Sequence, residues 1–494
     1  MRRALLIASA ACLLVAPTVI AFHSGGYFGE PRLIAGLVVW ACVLALAVSG
    51  PAPLPRGWPG ALALGGLVAV TAWSAVSLAW APLGGAAIAS VQRLVLYVGA
   101  LVLAVGVLRS ARAMRALEPA LAAGATVVIG YGLSGRLLPG IVHLHRSRTA
   151  HGRLEQPITY WNAEGALAAV GLVLCARLAG DPTRPRWMRA LAAAAVAPLG
   201  AGVYLSFSRG AIAVAVLGAV ILVAASPTRA QLRASATALA TGIAGALATA
   251  FFPGVSSLSG SHGAREGAVA LALLVAVAAA AALFTARRPA PADPLRVSRR
   301  LVPIAAGLAV AVAAGLVIGG LSERPSAAQL ARGAQPARLA TVTSNRYDYW
   351  RVGLRAFADH PVQGLGAGGF RVEWLKQRRI RDGAHDVHSL VFEMATELGL
   401  VGLLAFAALV AGVAVSARRA LAAERALAAG PLAALIAWFL HASIDWDWQL
   451  PAVTLPAIAL AGALLVLGER SPPALPAMPD WSGEHDEHVV PVRP

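Results

Sequence analysis

Apolar runs of about 18 residues or more recur along this 494-residue chain, each long enough to cross a hydrocarbon core of about 30 Å. In lipid a backbone satisfies itself only as helices or as a closed barrel. The alternating segments of about ten residues that mark a barrel are absent, so the chain reads as an all-α polytopic membrane protein. Charged residues make up 13% of it, about half the share in a soluble domain. Spans are expected over 1–20, 33–49, 59–80, 91–108, 116–134, 159–179, 188–206, 209–225, 235–252, 266–285, 302–320, 389–416, 429–446 and 450–468. The first run follows two arginines with no clear small-residue cleavage site, and reads as an uncleaved helix rather than a signal peptide.

The net charge of +18 is almost all arginine, with Lys376 the single lysine. Most arginines lie in loops between spans, which argues for membrane orientation and against nucleic acid. With the N-terminus inside, the inner loops hold Arg56, then Arg109, Arg112 and Arg115, then Arg177 to Arg189, Arg229 and Arg233, Arg287 to Arg300, and Arg418, Arg419 and Arg425. The outer loops 23–32, 81–90 and 253–265 hold one arginine or none, so both termini are expected in the cytoplasm. Two outer segments are nevertheless basic: 137–160, with Arg146, Arg148 and Arg153, and the long loop 321–386. Long loops translocate regardless of charge. The basic charge there suits either a polyanionic ligand or anionic lipid head groups. Cys12, Cys42 and Cys175 all fall inside apolar runs and form no disulfide or metal framework.

The polar residues gather in 343–402. Asn345 is placed to cap a helix, with Asp348 three residues on as an imperfect capping box. Arg346, Trp350, Gly353, Leu354 and Phe357 then recur at helical spacing, and Pro361 stops the helix near Asp359. The helix reads either as a lid that turns Arg346 toward a phosphate or as an interfacial helix whose arginine snorkels to water. Gly364, Gly366 and Gly369 spell G-x-G-x-x-G, but no strand precedes them, so a flexible turn that lets the backbone approach a ligand or the membrane is expected and not a dinucleotide site. His385 and His388 stand just before the next span, sharing a face if the helix already includes them. Glu393 and Glu397 follow inside that span and need a cavity or a partner there. A histidine at the membrane surface suits general-base work, and no H-E-x-x-H pattern or nearby cysteine suggests a metal.

Arg209, in Ser208-Arg209-Gly210, lies at an outer junction of two spans and reads as a phosphate holder or an interfacial anchor. Tyr160-Trp161-Asn162 and Asp445-Trp446-Asp447-Trp448 mark two further outer helix ends. The aromatic belt explains the tryptophans, while the aspartates are expected to pair with outer arginines. In this topology Arg153, Asn162, Arg209, Arg346, His388 and Asp445 reach one face, which argues for a single extracytoplasmic active site.

At these residues the sequence resembles the O-antigen ligase / O-antigen polymerase superfamily of bacterial membrane glycosyltransferases. The resemblance rests on Ser208-Arg209-Gly210, on Arg346 with Trp350, on His360-Pro361-Val362-Gln363-Gly364-Leu365-Gly366, and on His388 ahead of a glutamate-bearing helix. It implies an all-helical, GT-C-like enzyme with about 12–14 spans, in the bacterial cytoplasmic membrane. Such an enzyme moves a glycan from a polyprenyl (undecaprenyl) diphosphate carrier to a glycan, lipid or protein hydroxyl, with no cofactor and no metal. Carried over, Arg209 and Arg346 hold the diphosphate and His388 orients or deprotonates the acceptor hydroxyl; beside them Arg153, Asn162, His385 and Asp445 are expected to bind substrate, His385 sharing or replacing the role of His388. One departure is Ser389, where the family often has asparagine after the histidine. The expected units are a bundle over 1–320, an outer loop over 321–388, closing spans over 389–468 and a disordered tail over 469–494. Ligase and polymerase remain undivided. A transporter or flippase of anionic lipid-linked or small solutes is the alternative, although its ionisable residues belong near the bilayer midplane; a non-catalytic scaffold is a third.

Overall fold

The computed structural model describes residues 2–49, 53–259, 262–290, 293–295, 334–335, 339 and 344–470. The span expected over 302–320, most of the loop over 321–343 and the tail over 471–494 lie outside these residues. Among the described residues there is no β-strand, and ten helices are long and apolar enough to cross a membrane.

The bundle opens with α1 (Arg2–Ala21), α2 (Gly29–Ser49), α3 (Trp58–Val76), α4 (Gly84–Leu108) and α5 (Ala111–Leu137). It continues with α6 (Trp161–Gly180), α7 (Arg186–Leu205), α8 (Arg209–Ala225), α9 (Arg229–Ala250) and α10 (Gly263–Arg287). Two short helices follow, α11 (Arg346–Asp359) and α12 (Phe370–Gln377), and then α13 (Leu390–Ala442) and α14 (Pro451–Gly468). Every expected span within the described residues is present as a helix. The one departure is α13, whose 53 residues carry helix through the basic stretch expected to be a loop. Its backbone leaves the helical region at Gly399 and at Glu424, so the second break separates two membrane passes.

At the centre stands α6, buried along its whole length, with α14 nearly so and α4 buried over most of its turns. These helices are rich in alanine and glycine, which let backbones approach closely where lipid offers no hydrophobic drive for association. The least apolar long helix, α9, packs along α6 and α7. Arg177 and Arg184 with Glu118 and Asp181 join the end of α6 to α5 at 3.1–3.9 Å. At that same end Arg109 reaches Glu469 at 3.2 Å. At the other end the polar residues of 344–389 fold over the start of α4, the first turns of α13 and the turn before α14.

Candidate functional site

The roof of the site is built on α11. It stops at Asp359 as Pro361 requires, but its start differs from the expected cap. The Asn345 side chain makes no capping bond; its amide donates to Asp382 at 2.8 Å, and Asp348 pairs with Arg351 at 2.6 Å. The buried face is Tyr349, Trp350, Val352, Gly353 and Ala356, with Leu354 exposed, so it is turned relative to the expected stripe. The reason is aromatic packing: Tyr349, Trp350 and Val352 close a small core with Phe370, Trp374 and Val387. Tyr349 and Asn345 both donate to Asp382, and Trp374 Nε1 donates to the Asp382 carbonyl at 2.8 Å. Asp382 thus joins α11, α12 and the segment leading to α13.

Below this roof the His360-Pro361 loop runs into the first break of α13. Leu365 and Gly366 donate to the carbonyls of Thr396 and Glu397 at 3.0 and 2.8 Å, and Leu400 donates back to Pro361 at 2.8 Å. Gly399 sits at φ 64°, ψ −159°, a region almost confined to glycine, and any Cβ there would overlap the Val362 carbonyl. Gly364, at φ 70°, faces it across the junction with the same restriction. The turn is one of close backbone approach, but what it approaches is a helix backbone, not the expected ligand or membrane. Glu397 accepts from the backbone N–H of Gly368 and Phe370 at 2.7 and 3.3 Å, which accounts for one carboxylate inside a span.

Arg346, from the first turn of α11, pairs with Asp445 in the turn before α14. The other Asp445 oxygen accepts from the Tyr160 hydroxyl at 2.7 Å and from Trp446 N–H at 2.9 Å. Tyr160 in turn accepts from Asn162 Nδ2 at 2.7 Å. Burial raises the Asp445 carboxyl, but Arg346, His388, His441 and the Tyr160 hydroxyl outweigh it and hold the pKa below the ordinary carboxylate value. Asp445, with no exposed surface, is therefore ionised.

His388 lies beside this pair, its ring 4.8 Å from Tyr349 and 6.1 Å from Trp446. Its Nδ1 is 2.9 Å from the Asp386 carbonyl oxygen. A carbonyl only accepts, so Nδ1 carries the hydrogen and Nε2 keeps its lone pair. The backbone is left-handed here, φ 57°, and Trp350 Nε1 donates to the His388 carbonyl at 3.4 Å. Burial lowers the imidazole pKa; Asp445 opposes this and Arg346 adds to it, leaving the net direction down. A neutral ring with a fixed tautomer can accept a proton at Nε2.

Arg346, Asp445, Asn162 and His388 therefore come together. Arg209 follows Ser208, whose hydroxyl caps α8 and stands 3.4 Å from His441 Nε2; His441 Nδ1 meets Asp447 at 2.5 Å. Arg153 lies on the flank, 3.6 Å above the Trp161 ring and donating to the carbonyls of Ala150 and Thr149. His385 stands apart from this group. Helix begins only at Leu390, capped by Ser389, so the two histidines share no helical face and His385 is exposed. His441 is not among the residues that the sequence singles out, and Asp447, expected to pair with an arginine, meets His441 instead. The available signal is a histidine within a span followed six residues later by an aspartate. Among the described residues no group of three or more His, Cys, Asp or Glu is arranged to hold a metal ion.

Residues 258–407 match the family model described as O-antigen ligase. The match takes in Arg346, the His360-Pro361 loop, His388, Glu393 and Glu397, and leaves out Arg153, Asn162, Arg209 and Asp445. No curated protein matches the chain.

Proposed function

Because residues 258–407 belong to the O-antigen ligase family, we propose that this membrane enzyme transfers a glycan from a polyprenyl diphosphate carrier to an acceptor hydroxyl. The reaction takes place at the extracytoplasmic face of the cytoplasmic membrane, with both termini inside. His388 Nε2 takes the acceptor proton as the hydroxyl oxygen bonds to the anomeric carbon. The bond from that carbon to the diphosphate oxygen breaks, and the carrier diphosphate leaves with the electron pair. Arg346 and Arg209 stabilise the charge that develops on it. Tyr160, Asn162 and Asp445 fix the position of Arg346, and Arg153 with Trp161 shapes the flank of the site.

The observation that carries this reading is the neutral His388, its tautomer set by the Asp386 carbonyl, placed beside an arginine from α11. Glycan profiling of a deletion strain, complemented with wild type, Arg346→Ala or His388→Ala at matched protein levels, tests it. The expected result is a shortened or missing surface glycan, accumulation of its carrier-linked precursor, and rescue by wild type alone. Full rescue by both variants overturns the transferase and favours a transporter or scaffold. The linkage that goes missing separates ligase from polymerase.

A further inference from the structure

A second arginine cluster lies beside the site, and the proposed transfer makes no use of it. Arg32 of α2 and Arg93 of α4 are 5% and 4% exposed, and each has a buried Nε with no hydrogen-bond partner among the described residues. Arg32 donates to the Tyr27 carbonyl at 2.9 Å. Arg93 lies 3.5 Å from Ser90 Oγ and 3.9 Å from Glu393 Oε1, too far for a good charged hydrogen bond. That oxygen accepts instead from Gln449 at 2.7 Å, and Glu393 Oε2 has no partner among the described residues. A third guanidinium, Arg371 on α12, is exposed at the mouth. Arg93 and Arg371 both act on the Asp386 carboxyl, which burial pushes up to about 6 against them.

Burying two guanidiniums is unfavourable unless they are fully paired, and here the pairing is partial: Glu393 stands 3.9 Å from Arg93, and the Nε of each arginine has no partner among the described residues. Three forked cations from three elements, with donors left over, match the oxygens of a phosphate or diphosphate. The cluster is also placed for the reaction. Trp446 packs on Tyr27, whose carbonyl holds Arg32, and on Tyr160, which holds Asp445; its ring also neighbours His388. Asp386 joins the two by its own atoms, since its carbonyl orients His388 while its carboxyl lies within the electrostatic reach of Arg93 and Arg371.

We infer that Arg32, Arg93 and Arg371 form a second phosphate-binding subsite, separate from the one at Arg346, that holds the phosphorylated part of the acceptor. The assignment to an acceptor rests on the transferase reading; the anion site itself does not. It places a phosphate- or diphosphate-bearing molecule on each side of Trp446, one as donor and one as acceptor.

The test is calorimetric titration of methylenediphosphonate, a non-hydrolysable diphosphate analogue, into the full chain in phosphatidylcholine nanodiscs. Wild type is expected to take two equivalents. Arg32→Gln/Arg93→Gln should lose one and keep the other, and Arg346→Ala should lose the one that the first variant keeps. Fewer than two equivalents in wild type, or an unchanged isotherm in Arg32→Gln/Arg93→Gln, overturns the subsite. Where that double variant loses both equivalents it has misfolded, and the exposed Arg371→Ala decides: at least threefold weaker binding of one equivalent supports the subsite, and no change overturns it. Loss of one equivalent in phosphatidylglycerol discs marks a lipid headgroup site and overturns the acceptor assignment. Failure of the transferase reading would appear in the glycan profiles and leave this titration untouched.

Discussion

Asp445 is an ionised carboxylate with no exposed surface, and Arg346 is its counter-charge. Removing one partner of such a pair strands the other, at a cost of about 3–5 kcal/mol. Arg346→Ala should therefore lower the thermal unfolding temperature markedly, and Arg346→Ala/Asp445→Asn should regain much of the loss without regaining transfer. If the double variant is as unstable as the single one, the pair is not what the fold depends on. At His388 the prediction concerns pH. Burial lowers its pKa, so the neutral form persists below the ordinary imidazole value. Transfer should stay level from neutral pH down past that value and fall only as the ring protonates; an acid limb centred above the ordinary value would contradict it. Arg346, Asp445, Asn162 and His388 are legible in the sequence because polar residues at helix ends are rare in a chain with 13% charge. Tyr160 is visible there as one of a run of aromatics, but its hydrogen bond to Asp445 joins residues 285 apart, a pairing that no local pattern contains.

Among the elements, the junction between the His360-Pro361 loop and α13 is where local sequence rules are least informative. The glycine spacing identifies a turn but not its partner. The Glu397-Leu398-Gly399 segment reads as continuous helix because its break is set by hydrogen bonds from a loop more than thirty residues earlier. Gly399→Ala forces a side chain into a conformation that disfavours one, at about 1–3 kcal/mol, and into the Val362 carbonyl besides. Limited proteolysis should then cut within 361–369, a segment expected to resist in the wild type, and transfer should fall at least tenfold. Ahead of this break Glu393 accepts from Gln449 at 2.7 Å, so the same stretch of α13 is also tied to the turn before α14.

At the scale of the molecule, the helices are readable because apolar length and arginine placement are strong constraints in lipid. The order of burial, with α6 at the centre, is not, since a helix facing protein and one facing lipid are about equally apolar. Orientation has a direct check. Lys376 is exposed on α12 and Arg418 is exposed at the far end of the first α13 pass. With native cysteines removed, Lys376→Cys should react with an impermeant maleimide in intact cells, and Arg418→Cys only after lysis; the reverse pattern would turn the molecule over. The roof and the wall of the site, moreover, are one piece: the loop beneath α11 is hydrogen-bonded into the backbone of α13, so lifting it would break the helix junction as well. On the proposed transfer the polyprenyl chain of the donor lies in the bilayer, and the route that leaves this joint intact is sideways, between helices, with the lipid tail never leaving the membrane.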